Sequence, residues 1–130
     1  MPDLIQGLPC AARQAKEFCM ADTHDNAPFP AGSVAVIFTA MRSGNDEPGY
    51  QAAAAKMAEL ASRQPGYLGL ESARGADGLG VTVSYWASDD AARQWRDHAG
   101  HAAIREQGRA IWYDSYRLHV ARIERGYSWP

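Results

Sequence analysis

The chain has 130 residues, of which 46% are hydrophobic and 22% are charged, a composition that suits one globular domain with a buried core. Its net charge of -2 gives no basic surface of the kind that nucleic-acid-binding proteins use. The sequence has no apolar run of about 18 residues that could span a membrane, and its first residues lack the layout of a signal peptide. We therefore expect a cytoplasmic protein that binds neither nucleic acid nor membranes.

An N-terminal arm, residues 1–32, is predicted to precede a domain at residues 33–130. A short helix could form at 11–20, and turn-forming Asp, Asn, Pro and Gly residues follow it. Cys10 and Cys19 lie in this arm with a histidine nearby, but zinc sites usually need four ligands in paired spacing. We therefore expect free thiols and no metal site.

Strand and helix patterns alternate along the domain. A strand that is apolar on both faces is followed by an amphipathic helix, two strands joined by the turn sequence GADG, a longer helical region and a last strand. The predicted bounds are 34–41, 47–63, 67–74, 80–86, 88–113 and 116–124, with a tail at 125–130. The order β-α-β-β-α-β is that of a ferredoxin-like α+β fold with an antiparallel four-stranded sheet.

Such a sheet carries helices on one face only, yet its first strand is apolar on both faces. The second and fourth strands have polar residues at alternate positions, so only part of the helix-free face needs to be covered. The simplest cover is the same face of a second copy. We expect a homodimer in which two sheets pack face to face.

The third strand, GVTVSYW at residues 80–86, sends its side chains to two different faces. Val81, Val83 and Tyr85 make one bulky face. The side chains of the other face are small and polar up to Trp86, the last residue of the strand. Such small side chains leave room for a ligand. Trp86 is then either core packing or the rim of a pocket between the sheet and the helices.

The helical region carries most of the candidate polar groups, and it is predicted to break near residues 99–100. At about 100° per residue, His101 shares an apolar arc with Trp112. His101 is either a core histidine bonded to a backbone carbonyl, or a base or ligand at the floor of the pocket. His98 and Arg105 lie along one edge of the arc, where Arg105 is either solvated or holds an anionic group at the pocket mouth.

Two charged residues of the second strand, Glu71 and Arg74, complete the set of candidates. Glu71 is either a surface residue or an inward carboxylate that needs a partner or a raised pKa. Trp112 is either packing or part of the site. The candidate catalytic residues are Trp86 and His101, and the candidate substrate-binding residues are Tyr85, Glu71, Arg74, His98, Arg105 and Trp112.

Taken together, these segments are similar to those of a known family. The chain resembles the antibiotic biosynthesis monooxygenase family, and within it a bacterial branch of unassigned function, in the runs QPGYLGLESARG, GLGVTVSYW, GRAIWYDSY and RLHVARIER and in the helix that carries His101. The resemblance covers about residues 34–127. It implies a dimeric α+β barrel with a ligand cavity between sheet and helices in each subunit.

The resemblance implies one of two activities, or else a non-catalytic ligand-binding or stress protein. The first activity is cofactor-free oxidation of an aromatic or polyketide-like compound by O₂, for which His101 would be the base. Hydrogen-bond donors for the substrate anion would come from Trp86, Tyr85 and Arg105. The second is haem binding and degradation, for which Trp86 matches the strand-end Trp of haem degraders. Their axial His falls near Arg105 and their strand Asn has no match in residues 34–38, so we expect the first activity, without a cofactor.

Overall fold

The computed structural model describes residues 26–130. Cys10, Cys19 and the helix predicted around them lie outside the described residues, and the expectations for them stay predictions, as does the boundary of the arm. In the segment that leads into the sheet, the Phe29 ring stacks on Tyr85 with ring centroids 4.2 Å apart. This last part of the predicted arm therefore packs on the domain.

The helices and strands follow the predicted order. In chain order the described residues form β1 (Val34–Arg42), α1 (Glu47–Ser62), β2 (Tyr67–Arg74), β3 (Leu79–Trp86), α2 (Asp89–Asp97), α3 (Ala99–Gln107), a π-helical turn (Gly108–Trp112) and β4 (Tyr113–Arg122). The strands make one antiparallel sheet in the order β2-β3-β1-β4. The predicted ferredoxin-like α+β fold is confirmed. None of the helices in this part of the chain has the length and apolar character that crossing a membrane requires.

Helix α1 begins and ends where local chemistry favours it. Asp46 caps the helix, since its Oδ1 accepts the backbone N–H of Gly49 at 3.2 Å, and Pro48 occupies the first turn, where its missing N–H costs nothing. Gly66 follows the helix at φ 83°, and a Cβ at this position would lie 2.5 Å from the Cβ of Ala91. Only glycine fits both the left-handed backbone and the close approach of α2.

His98 divides the helical region into α2 and α3. Its backbone is extended, with φ -62° and ψ 132°, so α2 ends before it and α3 begins after it. The His98 Nδ1 accepts the backbone N–H of Gly100 at 3.0 Å and thereby caps α3. The predicted break in the helical region is confirmed and lies at His98.

A π-helical turn leads from α3 into β4. Gly108 is buried in this turn, and a Cβ on it would lie 2.7 Å from the ring of Tyr113, so the close packing of that ring requires glycine. Tyr113 then pairs with Arg42 across a bulge in the β1–β4 ladder. β4 therefore begins at Tyr113 and not at Tyr116, where the sequence pattern places its start.

Strand β2 contains a bulge that strict alternation does not foresee. Tyr67 pairs with Trp86, whereas Gly69 pairs with the residue that precedes Trp86, which leaves Leu68 without a partner in the ladder. The bulge turns the Tyr67 ring toward the helices, although simple alternation would place it on the same face as Glu71. There it packs edge-on against Trp86, with ring centroids 5.7 Å apart.

The two faces of the sheet are covered differently. Val34 and Trp86 lie opposite each other and are both buried in the cluster beneath the helices, so every second residue from them faces the helices. We call the other face, on which none of the helices within residues 26–130 lies, the open face. Its half-buried apolar side chains include Ile37, Met41, Val81 and Val83.

The core is centred on two indole rings. Trp86 is completely buried, its ring stacks on Trp95 with centroids 6.0 Å apart, and its Nε1 donates to the Ser84 hydroxyl at 2.9 Å. The buried cluster comprises Val34, Ala61, Trp86, Ala91, Ala92 and Trp95. Since Ala61 lies on α1 and Trp95 on α2, these contacts fix both helices on the sheet.

Replacing Trp86 by alanine should lower the free energy of unfolding by about 3–5 kcal/mol. The substitution leaves a cavity at the centre of the core and removes the indole N–H that donates to the Ser84 hydroxyl. Denaturant unfolding at one fixed protein concentration measures the change. Trp129→Ala is the matched control, since this indole is 85% exposed and its removal should change the free energy by less than about 0.5 kcal/mol. Equal losses for both variants would contradict the core assigned to Trp86.

Candidate ligand-binding site

A small polar cavity lies between the helix-covered face of the sheet and the first turns of α1. Gly80 and Thr82 of β3 line it, which places the small, polar face of that strand beside an open space. The cavity volume is about 10 Å³, enough for a single water-sized group. The complete lining is Phe38, Ala40, Arg42, Tyr50, Ser72, Ala73, Arg74, Gly80, Thr82 and Tyr113.

Tyr50 of α1 brings two guanidinium groups together at this cavity. The Cζ atoms of Arg42 and Arg74 lie 4.2 and 4.9 Å from the centroid of the Tyr50 ring, within the range of cation–π attraction. Arg74 also donates from Nη2 to the Tyr50 hydroxyl at 3.0 Å. The attraction of the ring for both cations offsets part of their mutual repulsion.

Arg42 ends β1 and has a side chain that is only 12% exposed. Its Nη2 donates to Oε1 of Glu47, whereas its Nη1 is buried and has no hydrogen-bond partner among the protein atoms of residues 26–130. A hydrogen bond from Gln51, followed by the charge of Arg42 and the more distant charge of Arg74, holds the pKa of Glu47 below its usual value, so Glu47 is a carboxylate at neutral pH. A buried guanidinium N–H without an acceptor is rare, and here it occurs at the cavity wall.

Tyr113, the first residue of β4, contributes a phenol to the cavity wall. Its ring meets Phe38 edge-on, with centroids 5.3 Å apart. Burial raises the pKa of Tyr113, and its interaction with Tyr50 raises it further, although the charges of Arg42 and Arg74 act in the opposite direction. The phenol is therefore protonated at neutral pH, so it can donate a hydrogen bond but is not a base.

Among the predicted site residues, Arg74 lines this cavity and Trp112 lies behind it. The Trp112 ring meets Tyr50 edge-on at 6.1 Å, and its Nε1 donates to Oδ2 of Asp46 at 3.4 Å. Trp112 is 4% exposed. It therefore supports Tyr50 from behind and does not face a ligand in the cavity.

Three more of the predicted residues meet where α2 joins α3. The His101 ring stacks on Trp95 with centroids 4.3 Å apart, and its Nδ1 lies 2.9 Å from the Trp95 carbonyl oxygen. Burial lowers the pKa of His101 against the effect of this hydrogen bond, and the positive charge of Arg105 and the nearby His98 lower it further. Arg105 donates to the carbonyl of Arg96 at 3.1 Å. His101 thus occupies the first of its two predicted environments, bonded to a backbone carbonyl, and it does not line the cavity.

Trp86 occupies the first of its two predicted environments, core packing, and does not lie at the rim of a pocket. The rings of Trp95 and Tyr67 pack against its indole, and its N–H is used by Ser84 inside the core. Aromatic packing fills the space that the sequence pattern left for a ligand at this end of β3. The open space lies at the other end of the strand, beside Gly80 and Thr82.

Tyr85 and Glu71 lie on the open face, so Glu71 occupies the first of its two predicted environments, the surface, and neither residue lines the cavity beside Tyr50. The Tyr85 hydroxyl donates to Oε1 of Glu71 at 2.8 Å, and burial, together with Glu71, raises the pKa of Tyr85 to about 12. The sheet itself separates this pair from the cavity beside Tyr50. A shallow depression of about 330 Å³ on the open face is lined in part by Thr39, Met41 and Arg117.

Sequence reasoning missed three residues of the cavity wall, Arg42, Tyr50 and Tyr113. In the sequence, Arg42 has the character of a loop residue, Tyr50 belongs to an apolar helix stripe and Tyr113 follows a tryptophan as packing. One signal could have found the first of them. Every second residue of a strand lies on the same face, so the alternation that starts at Val34 places Arg42 on the face that carries the small residues of β3.

The fold and the sequence agree on the family. Residues 34–107 match the antibiotic biosynthesis monooxygenase family, and the chain belongs to this family. The resemblance seen in the sequence motifs is thereby confirmed.

Three relatives illustrate the range of similarity. YqjZ of Bacillus subtilis, an uncharacterized protein, is 53% identical over 91 residues, which are 70% of this chain and 79% of that protein. SnoaB, a cofactor-independent oxygenase from Streptomyces nogalater, has a solved structure that matches 74% of this chain and 97% of its own, with a TM-score of 0.65 and 19% identity. Rv0793 from Mycobacterium tuberculosis matches 74% of this chain and 99% of its own, with a TM-score of 0.66 and 18% identity. At these identities the two structures show a shared fold.

The residues present do not fit a haem group. The candidate iron ligand, His101, is stacked on Trp95 and does not line either cavity, and the candidate distal residue, Trp86, is enclosed by core side chains. Among residues 26–130, no group of three or more His, Cys, Asp or Glu side chains is placed to hold a metal ion. Haem therefore has no place in the site built around Tyr50.

The stability of the protein should depend on the protonation of His101. Because the folded protein lowers the pKa of His101, the unfolded chain binds the proton more readily, and the free energy of unfolding should fall as the pH drops below about 6.5. We expect His101→Gln to lose less stability than the wild type between about pH 7.5 and about pH 5.5 in denaturant unfolding. The difference in the free energy of unfolding between the two proteins at the higher pH gives the packing cost of the substitution, which is then separated from the pH-dependent change. A steeper loss in the variant would contradict the lowered pKa.

Proposed function

We propose that the protein is a cofactor-independent monooxygenase that oxidises an aromatic or polyketide-like small molecule beside Tyr50. The observation that carries the proposal is the convergence of Arg42 and Arg74 on a polar cavity, in a fold shared with a cofactor-independent oxygenase. Cationic groups and hydrogen-bond donors are what such a reaction needs, because its substrate reacts as an anion.

The reaction begins when the substrate loses a proton. A neutral closed-shell molecule reacts slowly with triplet O₂, whereas its phenolate or enolate gives up an electron readily. The two guanidinium groups and the protonated phenol of Tyr113 can stabilise that anion and so lower the pKa of the substrate. In the oxidation of anthrone to anthraquinone, one oxygen atom becomes the new carbonyl oxygen. The other oxygen atom leaves as water with the two methylene hydrogens.

The cavity wall contains donors and cations but no strong base. Tyr113 is protonated at neutral pH, and the predicted base, His101, lies at the junction of α2 and α3 and does not line the cavity. The proposal therefore assigns substrate ionisation to electrostatic stabilisation by Arg42 and Arg74, with water as the proton acceptor. Substrates that are already acidic suit this arrangement best.

A substrate can enter only if the cavity widens, because about 10 Å³ holds no aromatic ring. Tyr50 lies in the first turns of α1, and its side chain is partly exposed, whereas the side chain of Arg42 is nearly buried. Rotation of the Tyr50 ring would enlarge the cavity without breaking a backbone hydrogen bond of the sheet.

Oxygen uptake with anthrone or a quinol tests the proposal. We expect the wild type to consume O₂, and Arg74→Met to be slower by at least about tenfold, because the developing anion loses a cation. Arg93→Met is the matched control, since this α2 side chain is 64% exposed and pairs with Asp89 on the surface. Trp86→Phe should keep the wild-type rate once it is folded. A loss with Trp86→Phe and none with Arg74→Met would favour the catalytic role predicted for Trp86 and refute the site at Tyr50.

The same proposal includes a homodimer that buries the open face. Ile37, Met41, Val81 and Val83 keep part of their apolar surface exposed there in a single subunit. Burying this surface against an identical copy would be favourable, and an isologous arrangement needs the same patch on both partners. The open face is the supporting observation, since within residues 26–130 no helix packs on these apolar side chains.

Sedimentation at micromolar protein concentration tests this assembly. We expect the wild type to sediment as a dimer, and Ile37→Asp to sediment as a monomer, because it places a charge at the centre of the buried face. Ala52→Asp on the exposed side of α1 is the control and should remain dimeric. A monomeric wild type would refute the dimer.

A further inference from the structure

We propose that the cavity beside Tyr50 is a carboxylate-binding site, in which Arg42 and Arg74 hold the carboxylate of an acidic aromatic ligand. The inference rests on the proposed function for the aromatic part of the ligand, and it names the class of substrate that the site selects. In a substrate that carries a carboxylate, Arg42 and Arg74 bind that group, and the protonated phenol of Tyr113 is the donor left for the reacting oxygen. Three features of the cavity carry it: an unused donor, an unbalanced charge and the shape of the wall.

The unused donor belongs to Arg42. Its guanidinium has five N–H donors, its Nη2 is taken by Glu47, and its Nη1 is buried without a hydrogen-bond partner. Leaving such a group unpaired is costly, and the cost is removed when an acceptor arrives. A carboxylate oxygen is the acceptor that forms the strongest hydrogen bond with a guanidinium.

The unbalanced charge arises because two cations share one carboxylate. Glu47 accepts from Arg42 and from Gln51, and within residues 26–130 no ion pair joins Arg74 to an acidic side chain. The nearby Asp46 does not line the cavity, since its oxygens accept from Gly49 and from the Trp112 indole. Because Glu47 balances only one of the two arginines that line the cavity, one positive charge is left without an ion-pair partner within residues 26–130, which favours an anion.

The wall also suits a ring that carries the carboxylate. Ala40, Gly80 and Thr82 are small and add little bulk to the wall. The Phe38 and Tyr113 rings, with centroids 5.3 Å apart, offer aromatic surface beside the two guanidinium groups. Once the cavity widens, a planar acid can place its charged end at Arg42 and Arg74 and its ring against these side chains.

Calorimetric titration with 2-naphthoate and with the neutral 2-naphthamide, in the absence of O₂, tests the inference on the full chain. We expect the carboxylate to bind at least about tenfold more tightly than the amide, and its affinity to fall as NaCl is raised. Arg74→Met should weaken naphthoate binding by about tenfold or more and should leave naphthamide binding nearly unchanged.

Two further variants keep the test decisive. Arg42→Lys retains the charge but loses the Nη1 donor, so it should weaken naphthoate binding. This variant is expected to fold, and circular dichroism checks that it does. Arg93→Met should bind naphthoate like the wild type. Equal affinity for the acid and the amide, no binding of either probe at millimolar concentration, or wild-type binding by both Arg74→Met and Arg42→Lys would each overturn the carboxylate site.

Failure of this inference and failure of the oxygenase proposal give different results. Selective naphthoate binding without O₂ consumption by any acidic aromatic substrate supports the carboxylate site and refutes the oxygenase. Oxygen consumption with anthrone, together with equal binding of acid and amide, supports the oxygenase and refutes the carboxylate site.

Discussion

The stack of Trp86, Trp95 and His101 determines where a ligand can bind. The centroid of the Trp95 ring lies 6.0 Å from that of Trp86 and 4.3 Å from that of His101, so a continuous aromatic column joins the end of β3 to the junction of α2 and α3. This column fills one end of the space between sheet and helices. Protein interiors are packed as densely as organic crystals, so the filled region has no room for a ligand. A ligand can lie only beyond the column, where the side chains of Gly80 and Thr82 are small. The same packing explains why the most conspicuous residues of the sequence serve the core and not the site.

At the other end of the sheet, one side chain connects four elements. Tyr50 on α1 contacts Arg42 of β1, Arg74 of β2, Trp112 of the π-helical turn and Tyr113 of β4. A ligand that displaces its ring would therefore affect the start of α1 and the start of β4 together. Such coupling means that the two arginines are positioned relative to each other by the fold, and not by a flexible loop. This preorganisation is what electrostatic stabilisation of an anion requires.

Much of the fold could be predicted from the sequence, because strand alternation and turn residues act locally. The alternation of side chains along β3 predicted its two faces. The interruption of the helical pattern near Gly100 predicted the break that the structure places at His98. The site could not be predicted in the same way, since its members come from five separate elements. The arc assigned to His101 and Trp112 assumed one continuous α-helix, but the π-helical turn at Gly108–Trp112 changes the rotation between them. Tyr50 looks like an ordinary apolar stripe residue until the ends of β1 and β2 bring their arginines to it.

The arrangement at Tyr50 is better explained by binding than by stability. Burying a guanidinium costs free energy that one ion pair rarely recovers, and apolar replacements of buried ion pairs are often neutral or stabilising. Here Arg42 is nearly buried with one donor unused, and Arg74 stacks on the same ring without a carboxylate partner of its own within residues 26–130. Apolar residues in place of Arg74, or in place of Arg42 and Glu47 together, would remove the cost of burying these charges. The cost of keeping two like charges together is understandable if an anion completes the site, since its charge and its oxygens supply what the protein leaves unsatisfied.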